Sequence, residues 1–376
     1  MPLASSRRRL LLGGGAWLAA PWPLRAADEL PVGQSITLQD GQNAHGVAVQ
    51  AGVMLLVEAV NAAGGIAGRR LALRTLDDRN SAETAEANAR QLVREGALVL
   101  FGSVEGGPSG GVMKAAIDTG TPFIGPMAGS PALRRPHQPL VFPVRAEHRD
   151  EFRALIGYGQ RTGLKKVALF HADSGTGREH LENVRLLAAE AGLGFAGGQA
   201  FKGEVTDAQL DAAVAGFAAA GADLVLNHGS PGVYERLIRR ARGGGSRAAF
   251  WGVNSGSTAL AAALGPLARG MVFAQVVPSP FARMTALVRE YQERWRAARP
   301  DQPFSYSGLE GYATAQVLVA ALRAAGPAPT RASMLKALST FDLDLGGMGV
   351  RYRPGDHAGS RFVDLSIVGG DGRFIQ

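Results

Sequence analysis

Two rhythms of apolar and polar positions interleave along this chain. Short runs of β-branched and other apolar residues predict strands at 35–39, 71–76, 97–101, 122–125 and 140–144. Between them lie segments whose apolar positions recur every three to four residues, the spacing of a helix with one buried face. Val53, Leu56, Val57 and Val60 place such a helix over 47–61, and Gly64 and Gly65 stop it. Helices over 82–94 and 111–118 follow, the second after a glycine-rich loop. The rhythm then restarts: helix 152–161, strand 166–171, helix 178–191, and strands at 194–201, 223–227 and 248–252. After an extended run at 270–276 come helices at 281–298, 309–325 and 331–339, then β-rich residues up to Phe374. Strands alternating with helices in this way define an α/β chain whose parallel sheets are covered by helices.

About 350 residues follow the N-terminal leader, more than one hydrophobic core usually supports, so two α/β lobes are expected. The late helices and strands are too few for a third domain and complete the first two. No repeat or low-complexity linker interrupts the pattern.

Composition changes the picture mainly at the N-terminus. Arg7, Arg8 and Arg9 precede Leu10 and an apolar run that contains no acidic residue before Asp28. That is the pattern of an export signal over 1–27, of twin-arginine type, with ordinary Sec export as the alternative. Gly13, Gly14, Gly15, Pro21 and Pro23 break the run, which falls short of the roughly 20 residues a membrane span needs, so it is read as cleaved after Ala26 or Ala27. The chain has no cysteine, which excludes a disulfide framework, a thiolate metal site and a lipid-anchored cysteine. Arg7, Arg8, Arg9 and Arg25 supply four of the +8 formal charges, leaving +4 once the leader is gone. The remaining arginines are spread over amphipathic segments rather than gathered in a patch, which argues against nucleic acid as a partner.

Five segments carry a resemblance: AVNAAGGIAGRRLALRTLDD, FIGPMAGSPALR, VALFHADSGTGREHLENV, YERLIRRARGGG with FWGVNSG, and YSGLEGYATAQVLVAALRAAG. In this order they resemble the type I periplasmic binding proteins related to the branched-chain amino acid receptors of ABC transporters. The resemblance implies two Rossmann-like lobes with parallel central sheets, joined by three crossover segments, closing on a ligand. It implies an N-terminal lobe of 30–143 plus 275–345 and a C-terminal lobe of 144–274 plus 346–376. It also implies a monomer in the periplasm whose partners are a small-molecule ligand and an ABC permease in the inner membrane, with no cofactor and no metal. In open α/β sheets ligands lie beyond the carboxyl ends of the strands, where helix N-termini favour anionic groups.

On that resemblance the candidate ligand contacts are His45, Glu105, Gly106, Gly107, Ala128, Gly129, Ser130, Ser174, Ser230, Asn254 and Tyr312. Gly106 and Gly107 stand where the family offers a hydroxyl and an amide to a ligand carboxylate, and only the amides remain here. Gly129 takes the usual hydroxyl position, with Ser130 one residue along able to substitute or to cap a helix before Pro131. Ser174 and Ser230 replace aromatic residues. Asn254 replaces the acidic residue that pairs with a substrate ammonium, and an amide cannot neutralise that charge. The expected ligand is therefore an amino acid derivative, an amide, or an organic or aromatic acid. Asp173 reads as a helix cap more than as the source of that missing charge, and Tyr312 reads as core packing more than as a ligand contact.

Two further readings stay open on sequence. One is a periplasmic sensor of the same fold that reports to a membrane receptor. The other is a serine hydrolase, because Gly107-Pro108-Ser109-Gly110-Gly111 matches G-x-S-x-G, although Ser109 lies well past its strand. Gly175-Thr176-Gly177 begins a dinucleotide-binding string that His180 breaks.

Overall fold

A computed structural model of the protein describes residues 29–38, 44–203 and 205–375; the export signal expected over 1–27 lies outside the described residues. In chain order the elements are β1 (Glu29–Ile36), α1 (Ala44–Ala62), β2 (Arg70–Asp77), α2 (Ala82–Arg94), β3 (Val99–Phe101), α3 (Gly106–Thr119), β4 (Phe123–Ile124), β5 (Val141–Phe142), α4 (His148–Arg161), β6 (Lys166–Ala172), α5 (Gly175–Glu190), β7 (Gly194–Phe201), α6 (Asp207–Ala219), β8 (Leu224–His228), α7 (Pro231–Gly243), β9 (Ala249–Gly252), α8 (Ser257–Leu264), β10 (Val272–Gln275), α9 (Ala286–Ala298), α10 (Tyr306–Ala324), α11 (Arg331–Leu338), β11 (Asp342–Asp344), β12 (Gly349–Arg353), β13 (Asp356–Gly359), β14 (Asp364–Val368) and β15 (Phe374–Ile375).

The strands form two main sheets. The first runs β2-β1-β3-β4-β5 and is parallel throughout. In the second, β7-β6-β8-β9-β10 are parallel, and β14 and β15 add an antiparallel edge beside β10. Strands buried on both faces need apolar residues at successive positions, which is why Val167, Ala168, Leu169 and Phe170 run unbroken in β6. Helices cover both faces of each sheet. In the first lobe α1, α9, α10 and α11 pack on one side, while Ala85, Leu92, Val112 and Phe123 form a separate cluster on the other. In the second lobe one cluster gathers Phe170, Tyr234 and Phe250, and another Phe152, Leu169 and Trp251.

The chain passes between the lobes three times: from β5 to α4, from β10 to α9, and from β13 to β14. The first and third passages are bonded together, Ser360 N donating to Val144 O at 2.8 Å. Tyr352 OH, on β12, reaches Phe142 O at 3.2 Å and Pro143 O at 3.0 Å. The sequence reading assigned residues 346–376 to the second lobe; β14 and β15 pair there, whereas Met348, Val350 and Tyr352 pack in the first lobe's core. The alternation of Val350 and Tyr352 buries one face of a short antiparallel meander, a local pattern that does not reveal which lobe it covers.

Several element ends move relative to the sequence reading. β1 begins at Glu29, six residues before the expected start at 35. α3 begins at Gly106, so the glycine-rich loop is the first turn and a half of a helix. Glycine is a poor helix former, but close helix packing requires it here: a Cβ on Gly111 would stand 2.1 Å from Ala82 O. Capping side chains set other starts. Ser81 accepts from Thr84 N at 3.2 Å before α2, and Thr206 and Gln209 form a capping box before α6.

α1 and α10 cross at a contact made by glycines. A Cβ on Gly52 would meet Gly308 O at 1.9 Å, and one on Gly311 would meet Val49 O at 2.1 Å. α1 is long and apolar enough to cross a membrane by composition, yet it is packed against α10 in the first lobe's core. Gly52→Ala is expected to cost about 2–3 kcal/mol through overpacking, read as a lower urea midpoint; a midpoint within error of the parent would mean that the helices separate at no cost.

Candidate functional site

The loops at the carboxyl ends of both sheets face one another across a cleft. The N-terminus of α3 meets that of α5: a Cβ on Gly106 would lie 3.6 Å from Ser130 Cβ and 3.7 Å from Thr176 Cγ2 of the opposite lobe. His45, at the start of α1, faces Gly256, whose Cβ would be 3.9 Å from His45 Cβ. Ala44, His45, Ser230, Pro231, Gly256 and Leu260 line a cavity of about 480 Å³ at this seam.

Beneath the seam lies a buried ionic network. Arg145, in the first passage between the lobes, is only 1 % exposed. Its guanidinium donates to Glu151 at the start of α4 and stands 3.6 Å from Glu310 Oε1 on α10. Asn254, which follows β9, donates its backbone N–H to Glu151 Oε2 at 2.7 Å and its side-chain Nδ2 to Glu310 Oε2 at 2.6 Å. Glu310 belongs to the first lobe and Asn254 to the second, so this hydrogen bond spans the cleft. His148 Nδ1 adds a contact to Glu151 Oε1 at 2.8 Å. His45 Nε2, Arg145 Nη1, Asn254 Oδ1 and Glu310 Oε1 are buried without a hydrogen-bond partner, so polar capacity is left over within the closed interface.

Burial dominates the electrostatics. It pushes the Glu310 carboxyl from its ordinary 4.5 to about 7, with Glu151 adding to the rise while Arg145 and the Asn254 amide oppose it. Glu151 is raised for the same first reason, against Arg145 and its hydrogen bonds. Burial, then the Arg145 charge, lowers His45 to about 3, so its imidazole is neutral at any physiological pH. Its Nδ1 lies 2.8 Å from Ser307 Oγ, which fixes the ring at the base of α10.

The structure brings most of the sequence candidates to this seam by different means. Asn254 is fully buried and spans it. Gly129 abuts His148: its carbonyl accepts from His148 N at 3.1 Å, and a Cβ there would stand 2.5 Å from the imidazole. Ser130 precedes a short 3-10 helix, but its hydroxyl makes no capping bond. Ala128 is buried and its carbonyl accepts from Arg134 Nη1 at 3.3 Å. Gly107 lies exposed with open space around it, and Glu105 holds a left-handed conformation at φ 63° just before α3. Ser174 and Ser230 spend their hydroxyls as caps, accepting from Gly177 N at 3.0 Å and Val233 N at 3.4 Å. The cap expected of Asp173 is thus supplied by Ser174, and Asp173 pairs instead with Arg178 at 2.8 Å. Tyr312 is packed inside the first lobe, its ring 5.6 Å from that of Tyr291.

Two of the three central charges escaped the sequence reading. Arg145 and Glu151 sit six residues apart among many surface-type charges, and no periodicity marks them as buried. His148, His180 and His228 converge although 32 and 48 residues separate them in turn, because α4, α5 and β8 meet at one end of the second sheet. Ser109 lies within α3, fully buried, with its Oγ 2.7 Å from that of Ser103, so the G-x-S-x-G string is a helix and not a strand-to-helix elbow.

Two α/β lobes, three passages and a polar cleft at the strand ends define a two-lobed ligand-binding protein. The family model described as periplasmic binding protein matches residues 29–371, and the chain belongs to that family. It is 23% identical over 333 residues to the leucine-, isoleucine-, valine-, threonine- and alanine-binding protein of Pseudomonas aeruginosa, covering 86% of each chain. Among solved structures it is similar to a substrate-binding periplasmic protein of Ralstonia solanacearum, with 26% identity, TM-score 0.83, and 92% and 99% of the two chains covered. An extracellular ligand-binding receptor from Verminephrobacter eiseniae shares 25% identity at TM-score 0.83, with 93% and 100% covered. The fold is that of the type I periplasmic binding proteins.

Because Glu310 binds its proton more tightly in the folded chain, the stability this supplies is complete below pH about 4.5 and is lost as pH rises to about 7. Relative to Glu310→Gln, the parent should therefore lose about 3 kcal/mol across that window in urea titrations at stepped pH. A difference that is flat or grows with pH would rule this out. Arg145→Met, which leaves two buried carboxylates without their cation, should cost about 3–5 kcal/mol by the same measurement.

Proposed function

We propose that this chain is the periplasmic solute-binding component of an ABC importer, and that it closes on a small organic acid or amide rather than on a standard α-amino acid. The observation that carries this reading is the occupation of Glu151 and Glu310. Both buried carboxylates face Arg145 and Asn254, and the one oxygen without a hydrogen-bond partner, Glu310 Oε1, stands 3.6 Å from the Arg145 guanidinium, whose charge disfavours a substrate ammonium beside it. Besides Glu310 Oε1, whose carboxyl burial pushes up to about 7, the groups left for a solute are His45 Nε2, Arg145 Nη1, Asn254 Oδ1, and the first backbone amides of α3 and α5. Such a set suits a carboxylate or a carboxamide, whose oxygens accept from amides and guanidinium in a site that closure dries.

The solute touches both lobes and so draws the pair toward the closed state, which a membrane permease would read. Exported as a monomer, with its leader removed, the protein works without a cofactor and carries out no covalent step.

The test is a thermal-shift screen of the leaderless protein against aliphatic and aromatic acids, amides and amino acids. An acid or amide at 100 times its Kd should stabilise the fold by about 2.7 kcal/mol. Asn254→Ala, which removes an interlobe bond and a solute acceptor, should then weaken binding about tenfold or more by calorimetry. If only α-amino acids shift the midpoint, the assignment of the solute class is wrong; if no solute does and none is released on denaturation, the importer reading fails.

A further inference from the structure

We propose that His148, His180 and His228 form a binding site for one divalent transition metal ion, zinc or a close analogue, at the cleft edge of the second lobe. The three residues come from the first turn of α4, the body of α5 and the last position of β8. One ring nitrogen from each lies within 4.8 Å of the others, and the ring centroids stand 4.3–5.5 Å apart. Zinc binds imidazole nitrogens at about 2.0–2.1 Å, which sets tetrahedral ligands about 3.4 Å from one another. The nitrogens would draw together by up to about 1.4 Å to reach that spacing.

The chemistry of each ring fits the role. His148 Nδ1 faces Glu151 Oε1 at 2.8 Å, and that carboxylate already accepts from Arg145 and Asn254 N. His148 therefore donates through Nδ1 and keeps its Nε2 lone pair free, the carboxylate-oriented imidazole that recurs at metal sites. His180 is 0 % exposed, yet neither of its ring nitrogens has a hydrogen-bond partner, and His228 Nδ1 is orphaned as well. Leaving such groups buried and unpaired costs about 1–3 kcal/mol each, which coordination to a metal would offset. Burial disfavours the charged form of all three imidazoles, and for His148 the Arg145 and Arg134 charges add to it, so the rings are neutral as ligands require. Three imidazoles and no thiolate match zinc, copper or nickel rather than calcium or magnesium, and leave a coordination position for water or another ligand.

Gly129 of the first lobe lies directly against this group, its carbonyl bonded to His148 N. A side chain there would occupy the imidazole's own space, so the glycine keeps room for the ring at the seam. The site rests on residues of the second lobe alone and does not depend on which solute the cleft takes.

Untagged leaderless protein, stripped with a chelator, would be titrated with Co2+ while following its visible absorption, and with Zn2+ by calorimetry and thermal unfolding. One equivalent should bind with Kd below about 1 µM, Co2+ should give the intense visible bands of a tetrahedral site, and Zn2+ should raise the unfolding midpoint. His228→Gln should weaken binding at least about tenfold. His180→Phe removes two orphaned nitrogens beside Phe152, so it should leave the metal-free protein as stable as the parent or more so while abolishing the gain from Zn2+. Absence of stoichiometric binding, or one equivalent that survives in both variants, would overturn the assignment.

Discussion

A buried guanidinium governs this molecule. Arg145 sits where the chain first leaves one lobe for the other, out of reach of water, and a charge in that position must be answered on the spot. Glu151 answers from the second lobe and Glu310 from the first, so the electrostatic requirement of one side chain draws two separately folded halves together. Asn254 completes the arrangement by bonding to both carboxylates. Electroneutrality is closest when the lobes are shut. With one cation and two acids, the group retains one proton or one net negative charge; burial is the main reason the Glu310 carboxyl is raised, and the second acid, Glu151, adds to it.

The scaffold that delivers these residues is rigid for reasons visible in its packing. Each sheet is covered on both faces, and the glycine crossing of α1 and α10 lets two helix backbones touch. Glu310 lies one residue before Gly311 on that contact, so its height above the cleft is set by backbone and not by a flexible stem. Function therefore sits at the ends of stiff elements, with the adaptable part confined to the passages between lobes.

Much of the fold was legible in the sequence, because parallel strands buried on both faces and amphipathic helices leave strong periodic marks. The run around Val167 and the spacing of Leu56, Val57 and Val60 both give correct elements. Boundaries failed where tertiary contact overrides propensity, as at Gly106 to Gly111. The site was legible only in part. Asn254 and His45 stood out by position within recognisable segments, whereas Arg145 and Glu151 look like ordinary surface charges until their burial is known. Ser174 and Ser230 show the converse: hydroxyls at promising positions whose oxygen is already used by the helix that follows.

The bond between Ser360 and Val144, with the reach of Tyr352 to Phe142 and Pro143, has a mechanical meaning. Separate tethers would allow one half to twist, slide and tilt over the other. Two passages lashed side by side resist twisting and sliding more than they resist rotation about their common line, which makes that line the natural hinge for opening and shutting.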